Sequence, residues 1–447
     1  MALLGTIVAP FGSTAAPAPV SIRFISGRLS DGSDYVIGVP SNWNHTLVMY
    51  SHGYEIKDPI DVRADVLDDP VVDAVMRHGY AVAAPAYVHQ GWAVKPALSE
   101  QMELLDRAPK VIGAAPSRTI AMGDSMGGDI TVALAQLHPD RFNGALSMCG
   151  VVSGPTPFNA QAAIAMLAGH LFLRLPYPHE RRVVAFEPVS ERMGVILSAA
   201  QKTPAGRAHL ALIAALDEIP GWNPSTSASP PPDAAEVEAN QYMSLKHSLP
   251  GLYVIAENLS YRSGGFATAT AGLDPAAMLG RSPQRDTVRA LYAAAGLSLD
   301  ADLTKLQETA RAYPANSGVQ HYLRRYFDPN GMMRIPLLSI HTIGDDVVPV
   351  SVENRFRALV TRAGDSQLRQ EYIARYGHCV FTPAEVVVTT EALAHRIETG
   401  RWGDLSAAVL NAHAGALGSL NRLDKGKKSI PTVAAFTTYD PPAMTAP

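Results

Sequence analysis

The chain has 447 residues, of which 47% are hydrophobic and 17% charged, and a formal net charge of −4. That is the composition of a globular protein with a well-filled core. No Lys/Arg cluster exceeds Lys425-Gly-Lys-Lys428, so neither nucleic acid nor an anionic membrane surface is expected as a partner. No apolar run approaches the ~20 residues of a membrane span.

The first 22 residues carry no charged side chain. An apolar stretch at 3–10 followed by small residues at 13–16 reads either as the remnant of an export signal or as a solvated N-terminus. Residues 20–24 and 34–39 form a predicted strand pair, and 46–51 a third strand running into Ser51-His52-Gly53-Tyr54. Val62, Val66, Val71 and Val75 recur at helical spacing, so 61–77 is predicted as one helix stopping at His78-Gly79. A strand at 80–84, a helix at 95–113 and a strand at 118–122 follow. A helix at 127–138 and a strand at 142–149 complete the series. Apolar strands alternating with helices predict a mostly parallel central sheet covered by helices on both faces.

After Gly150 the rhythm changes. Residues 155–332 are rich in Ala, Leu and Met at helical spacing, broken by a Pro-rich piece at 220–232, and predict a large, mainly helical cap inserted into the α/β chain. The alternation resumes with a strand at 334–342, a helix at 352–363, a strand at 368–374 and a helix at 383–398. Expected units are therefore 1–154 and 333–400 as the two parts of the core and 155–332 as the cap. Residues 401–447 are expected as a helix, to about 420, and a surface tail.

Gly123-Asp124-Ser125-Met126-Gly127 lies where the strand at 118–122 meets the helix at 127–138. The G-x-S-x-G pattern matters for this context: a sharp strand-to-helix turn lifts the Ser hydroxyl clear of the sheet, and a helix N-terminus faces the site. A Ser hydroxyl is a poor nucleophile until a base takes its proton, so a His and an orienting carboxylate are needed. His341-Thr-Ile-Gly-Asp-Asp-Val-Val-Pro349 places two acids in a turn past an apolar strand, and Tyr376-Gly-His-Cys379 places a His in the loop after the next strand.

In these motifs, over residues 20–154 and 333–400, the chain resembles the α/β-hydrolase superfamily, serine esterases and lipases with a large cap in particular. The resemblance implies Ser125 as nucleophile, His378 as base and Asp345 as acid, with Asp346 the fallback, in the family's order of Ser, acid, His. It implies an oxyanion hole made by the N–H of Met126 with that of Gly53 or Tyr54. Each assignment has a plainer counterpart: Asp345 and Asp346 as solvated turn formers, His52 as a residue shaping its turn, and Asp124 as support for the local backbone. His341, which precedes the acid, is the lesser candidate for the base. Tyr54, Tyr87 and Trp92 come from loops at the same edge and either line the substrate pocket or belong to ordinary core.

On that fold Cys149 and Cys379 come from neighbouring loops. The expectation is a Cys149–Cys379 disulfide pinning the His loop, with two buried free thiols as the alternative. Such a disulfide would favour a secreted or periplasmic protein. Tannase and feruloyl esterase relatives carry a similar His-Cys arrangement, but there the partner cysteine directly precedes the Ser, where this chain has Asp124. No P-loop, G-x-G-x-x-G, H-E-x-x-H or Cys/His cluster appears, so no cofactor and no metal are expected. The expected reaction is hydrolysis of carboxylic esters, small or polymeric, through an acyl-enzyme. Alternatives are an amidase or peptidase using the same triad, and a non-catalytic binding protein on the same fold. Oligomeric state is left open.

Overall fold

Largely apolar runs of five to eight residues become the central strands here because their backbone groups pair while both faces are covered. In the computed structural model, which describes residues 19–57, 59–178, 186–223, 231, 233–425 and 428–446, the first half is β1 (Ile22–Arg28), β2 (Asp34–Pro40), β3 (Thr46–Ser51), α1 (Pro70–Arg77), β4 (Ala81–Pro85), α2 (Val94–Ile112), β5 (Arg118–Asp124), α3 (Met126–Leu137) and β6 (Gly144–Met148). Eight helices follow: α4 (Pro155–Leu173), α5 (Phe186–Ala200), α6 (Pro204–Leu216), α7 (Ala234–Ser263), α8 (Pro275–Arg281), α9 (Arg285–Ala295), α10 (Leu299–Ala310) and α11 (Ser317–Arg325). The chain then returns through β7 (Leu337–Gly344), α12 (Ser351–Arg362), β8 (Leu368–Tyr376), α13 (Pro383–Thr399), α14 (Ala407–Ala416), β9 (Arg422–Lys425), β10 (Lys428–Pro431) and β11 (Phe436–Thr437).

The main sheet has nine strands in the order β1-β2-β4-β3-β5-β6-β7-β8-β11. From β4 to β8 every pair is parallel, whereas β1–β2, β2–β4 and β8–β11 are antiparallel. Parallel neighbours require crossovers, so the C-terminal ends of β3, β5, β6, β7 and β8 share one edge. The two faces bury separate apolar clusters. Ala121 and Ala145 point into one, with Leu104 of α2, Ile130 of α3 and Phe356 of α12. Ile120 and Leu146 point into the other, with Val75 of α1 and Val387 of α13. The first cluster continues without a break into Phe158, Ile164, Leu212 and Leu249 of the helical segment, so these helices share one core with the sheet.

The expected fold is therefore observed, with local corrections. The single helix expected over 61–77 is two elements: a π-helical turn at Val62–Leu67 and then α1. Pro70 cannot continue a helix but is well placed at its first position, and the Asp69 carboxylate accepts from the N–H of Val71 at 2.8 Å to restart it. The tail expected on the surface instead supplies β11, which adds to the sheet edge against β8. Its last residues, Met444, Thr445 and Ala446, are buried. Two paired residues are too short a run for any periodicity to announce. The expectation for residues 1–18 and most of the Pro-rich piece within 220–232 lie outside the described residues. Among the described residues no helix is long and apolar enough to cross a membrane.

Candidate active site

Three strand ends bring the chemistry together. At the end of β5 the chain turns sharply, and Ser125 takes φ +55° and ψ −123°, a strained conformation for a residue with a side chain. The turn is held by Ser125 N–H donating to Met148 O at 2.9 Å and Gly128 N–H donating to Ser125 O at 2.9 Å. Gly127 is required because a Cβ there would overlap the carbonyl of Ser51 on β3. The N–H of Met126 opens α3 and is one of the orphan donors of a helix start. On the other side, a Cβ on Gly53 would lie 3.3 Å from the Cβ of Ser125 and 3.1 Å from Asp124 Oδ2. The Gly53–Tyr54 backbone therefore passes directly beside the Ser side chain.

The acid turn follows β7. Asp345 is fully buried, and its Oδ1 accepts from the N–H groups of Val347 and Val348 at 2.9 and 2.8 Å. Its Oδ2 lies 2.8 Å from His378 Nδ1, and His378 Nε2 lies 2.8 Å from Ser125 Oγ. The His loop after β8 is pinned onto the acid turn by Gly377 N–H donating to Gly344 O at 2.9 Å and by Thr342 Oγ1 donating to Gly377 O at 2.6 Å. Arg375 ties the same loop to Glu385, whose carboxylate closes a capping box with Thr382 at the start of α13.

Burial pushes the His378 imidazole toward its neutral form, but the charge of Asp345 more than offsets this and leaves it above the ordinary histidine value. Burial alone would raise Asp345; His378 and His341 together hold it well below the usual carboxylate range. Asp346 is raised, by burial and by the neighbouring Asp345, and it accepts from Tyr376 Oη at 2.8 Å. Asp346 is thus not the partner of His378.

The other expected residues separate into two groups. Cys149 and Cys379 form a disulfide, with Cα atoms 5.4 Å apart, and Cys379 Sγ lies 3.4 Å from His378 Nε2. These three residues bring possible metal donors within 4.8 Å of one another, but both sulfurs are spent in the disulfide. Asp124 is half-buried and accepts from Tyr50 Oη at 2.7 Å behind the Ser turn. His52 is buried, its ring stacked on Tyr87 with centroids 4.0 Å apart, and burial lowers it to about 4. A neutral ring wedged between Gly53 O and Ala86 O shapes the loop. Tyr87 and Trp92 are each 2% exposed. They are packed side chains with almost no surface to offer a substrate, which corrects the pocket-lining expectation for this pair; Tyr54, by contrast, is only half-buried.

Two features escaped the sequence reading. Tyr376 Oη links Asp346 to Ser244 Oγ of α7, at 2.8 and 2.7 Å. Beneath the acid turn, His341 of β7 and Glu353 of α12 form a fully buried pair, with Nδ1 3.2 Å from Oε1. A Glu in the first turn of the helix after the acid turn was the only available signal for this pair.

The sheet order and the strained Ser turn at the end of β5 are those of the α/β-hydrolase fold, and the Ser–His–Asp line is laid out as a nucleophile, base and acid would be. No protein-family model matches the chain. It is similar to an o-phthalyl amidase of Xanthobacter agilis, with 27% identity over 440 residues, covering 87% of this chain and 90% of that protein. Among solved structures it is similar to the rice cell wall degrading esterase LipA of Xanthomonas oryzae, with 14% identity, a TM-score of 0.39, and 85% and 90% of the two chains covered. An esterase of Pyrococcus furiosus gives 11% identity and a TM-score of 0.40, over 89% of this chain and 97% of that one.

Proposed function

We propose that the chain hydrolyses carboxylic acid derivatives through an acyl-enzyme on Ser125, and that amides of small carboxylic acids are substrates alongside the esters expected from the sequence. The observation that carries the reading is the unbroken line from Asp345 through His378 to Ser125, with both contacts at 2.8 Å. Ser125 Oγ attacks the carbonyl carbon while His378 Nε2 takes its proton. Asp345 holds the ring with Nδ1–H toward itself and stabilises the imidazolium that forms. The oxyanion is received by the N–H of Met126 and that of Gly53 or Tyr54, and one such donor is typically worth about 3–4 kcal/mol. The imidazolium then protonates the leaving alkoxide or amine. Water, activated by the same His, releases the acid and restores Ser125.

An amine leaves only once protonated, so amide cleavage places the heavier demand on His378. The likeness to an amidase along nearly the whole chain supports amides, since similarity confined to the sheet would leave the leaving group open. The helices α4–α11 act as the cap. Support comes from α7, which meets the site through Ser244 at Tyr376, through Asn258 Oδ1 at the N–H of Trp92 (2.8 Å), and through Arg262 at Gln90 O.

The test is hydrolysis of matched p-nitrophenyl esters and p-nitroanilides of acyl groups from acetyl to palmitoyl, with a phthalic acid monoamide beside them, by the intact chain and by Ser125→Ala. The expected result is turnover of both classes, lost in the variant, with a fluorophosphonate adduct on Ser125 in mass spectrometry. Turnover that survives Ser125→Ala would refute the mechanism. Esterase activity without any amide turnover would return the reading to esters. Silence without labelling would favour a binding protein.

A further inference from the structure

Both nitrogens of the His341 ring face only acceptors. Nδ1 lies 3.2 Å from Glu353 Oε1, and Nε2 lies 3.0 Å from Val348 O and 3.5 Å from Asp345 Oδ2. The ring and both carboxylates are fully buried. A neutral imidazole has one N–H, so in either tautomer its bare nitrogen would point a lone pair at an oxygen, out of reach of water. With both carboxylates charged, only the doubly protonated ring satisfies both contacts, and these two charges set His341 apart from His52, whose ring meets two backbone carbonyls and no carboxylate. Glu353 is braced for the pairing from its other side: its Oε2 accepts from Ser339 Oγ at 2.8 Å and also from Gln370 Nε2.

We propose that His341 is a standing imidazolium which, anchored by Glu353, positions Asp345 and holds down the basicity of His378, so that the relay has five members, Glu353–His341–Asp345–His378–Ser125. The proposal rests on the reading of Ser125, His378 and Asp345 as the catalytic line. At rest the buried cluster holds two carboxylates and one imidazolium. When His378 takes the Ser proton, it holds two of each sign and is balanced as charge develops on the substrate. Without the cation, two buried carboxylates would pull on the His378 proton. The ring would then stay protonated at higher pH and be a base in fewer molecules at neutrality.

The titratable groups facing this pair are Asp345 and Asp346 of the acid turn, Asp124 at the end of β5, Glu353 of α12 and, beyond Asp346, His247 of α7. Tyr372 of β8 faces Glu353. Both His341 and Asp345 act on His378, in opposite senses, and the hydrogen bonds to Asp345 and Glu353 raise His341, against its burial, to about 10.

The experiment is ¹⁵N-histidine NMR on the full chain from pH 6 to 10, with no substrate, beside the pH profile of kcat/KM. His341 is expected to carry protons on both nitrogens at pH 8.5, where an ordinary histidine is neutral. In His341→Gln the His378 midpoint should rise by about one unit, and the acid limb of kcat/KM should rise with it. A role in stability alone would lower activity or yield without moving either midpoint. If His341→Gln does not fold, Glu353→Gln keeps the test open: removing the anchoring charge should lower the His341 midpoint by about one unit. A neutral His341 at pH 8.5, an unmoved His378 in folded His341→Gln, or an unmoved His341 in Glu353→Gln would each overturn the proposal. The NMR readouts need no turnover, so failure of the catalytic reading, seen as activity in Ser125→Ala, remains distinguishable.

Discussion

The C-terminal edge of the sheet and the helices that follow β6 meet at the site but are built differently. At the sheet edge the main chain does much of the positioning, with the Thr342 hydroxyl, the Arg375–Glu385 pair and the Cys149–Cys379 disulfide as side-chain ties beside it. Ser125 is held by the carbonyl of Met148, Asp345 by two backbone N–H groups, and the His378 loop by Gly344 O and Thr342. The helical segment reaches the same place through single side chains, Ser244, Asn258 and Arg262. Backbone-held geometry survives most substitutions, whereas side-chain contacts can be exchanged one at a time. The proposed chemistry accordingly sits on the sheet, and a change in one helical side chain would leave its frame in place.

The deepest cut at this contrast is Asp345→Asn, which keeps the shape of the turn but removes the charge. It should lower kcat by about 10⁴-fold, while Asp346→Asn, one residue on, should cost about tenfold at most, because its carboxylate serves Tyr376 rather than His378. Equal losses in steady-state kinetics would break the assignment of the acid. Next is the disulfide, which joins the β6 and β8 loops across 230 residues of chain. Replacing both cysteines by alanine should cost about 5 kcal/mol in the simple chain-entropy model, read by denaturant unfolding without reductant. A stability near that of the parent would mean that the backbone contacts alone hold the His loop.

The buried His341 predicts a pH dependence of stability. Its native proton affinity is raised to about 10, so its contribution is complete below about 6.5, the ordinary histidine value. It is lost progressively as the pH rises from there through about 10. The melting temperature should fall across that window in the parent and less steeply in His341→Gln. The smallest effect belongs to the helical side. Tyr376→Phe removes the hydroxyl between Asp346 and Ser244 and should change KM several-fold while leaving kcat within about tenfold, since a single hydrogen bond is worth about 0.5–1.5 kcal/mol. A large loss of kcat would place Tyr376 with the sheet-built machinery.

Much of this could be read before any coordinates. The central strands, β3 to β7, were legible because parallel strands buried on both faces are largely apolar, and their boundaries shifted by only a few residues. The Ser turn, the acid turn and Gly377-His378 were legible because each is a short chemical pattern at the end of such a strand. The break at Asp69-Pro70 lay in view, yet the valine spacing across it masked the restart of the helix. The roles of Tyr87 and Trp92 could not be read, because burial depends on what the other loops place above a side chain.

The linear order of residues thus determined the sheet and pointed to Ser125, His378 and Asp345, with Asp346 as fallback, as candidates for nucleophile, base and acid, through local periodicity and motif chemistry. Tertiary structure brings Asp345, the expected acid, rather than the fallback Asp346 onto His378, and joins Cys149 to Cys379 as expected. It also decided that β11 closes the sheet edge and that His341 and Glu353 lie sealed beneath the acid. Each of these depends on residues far apart in the chain, or on the direction of a side chain from a shared turn. Such contacts exist only once the strands are in register, and no local pattern encodes them.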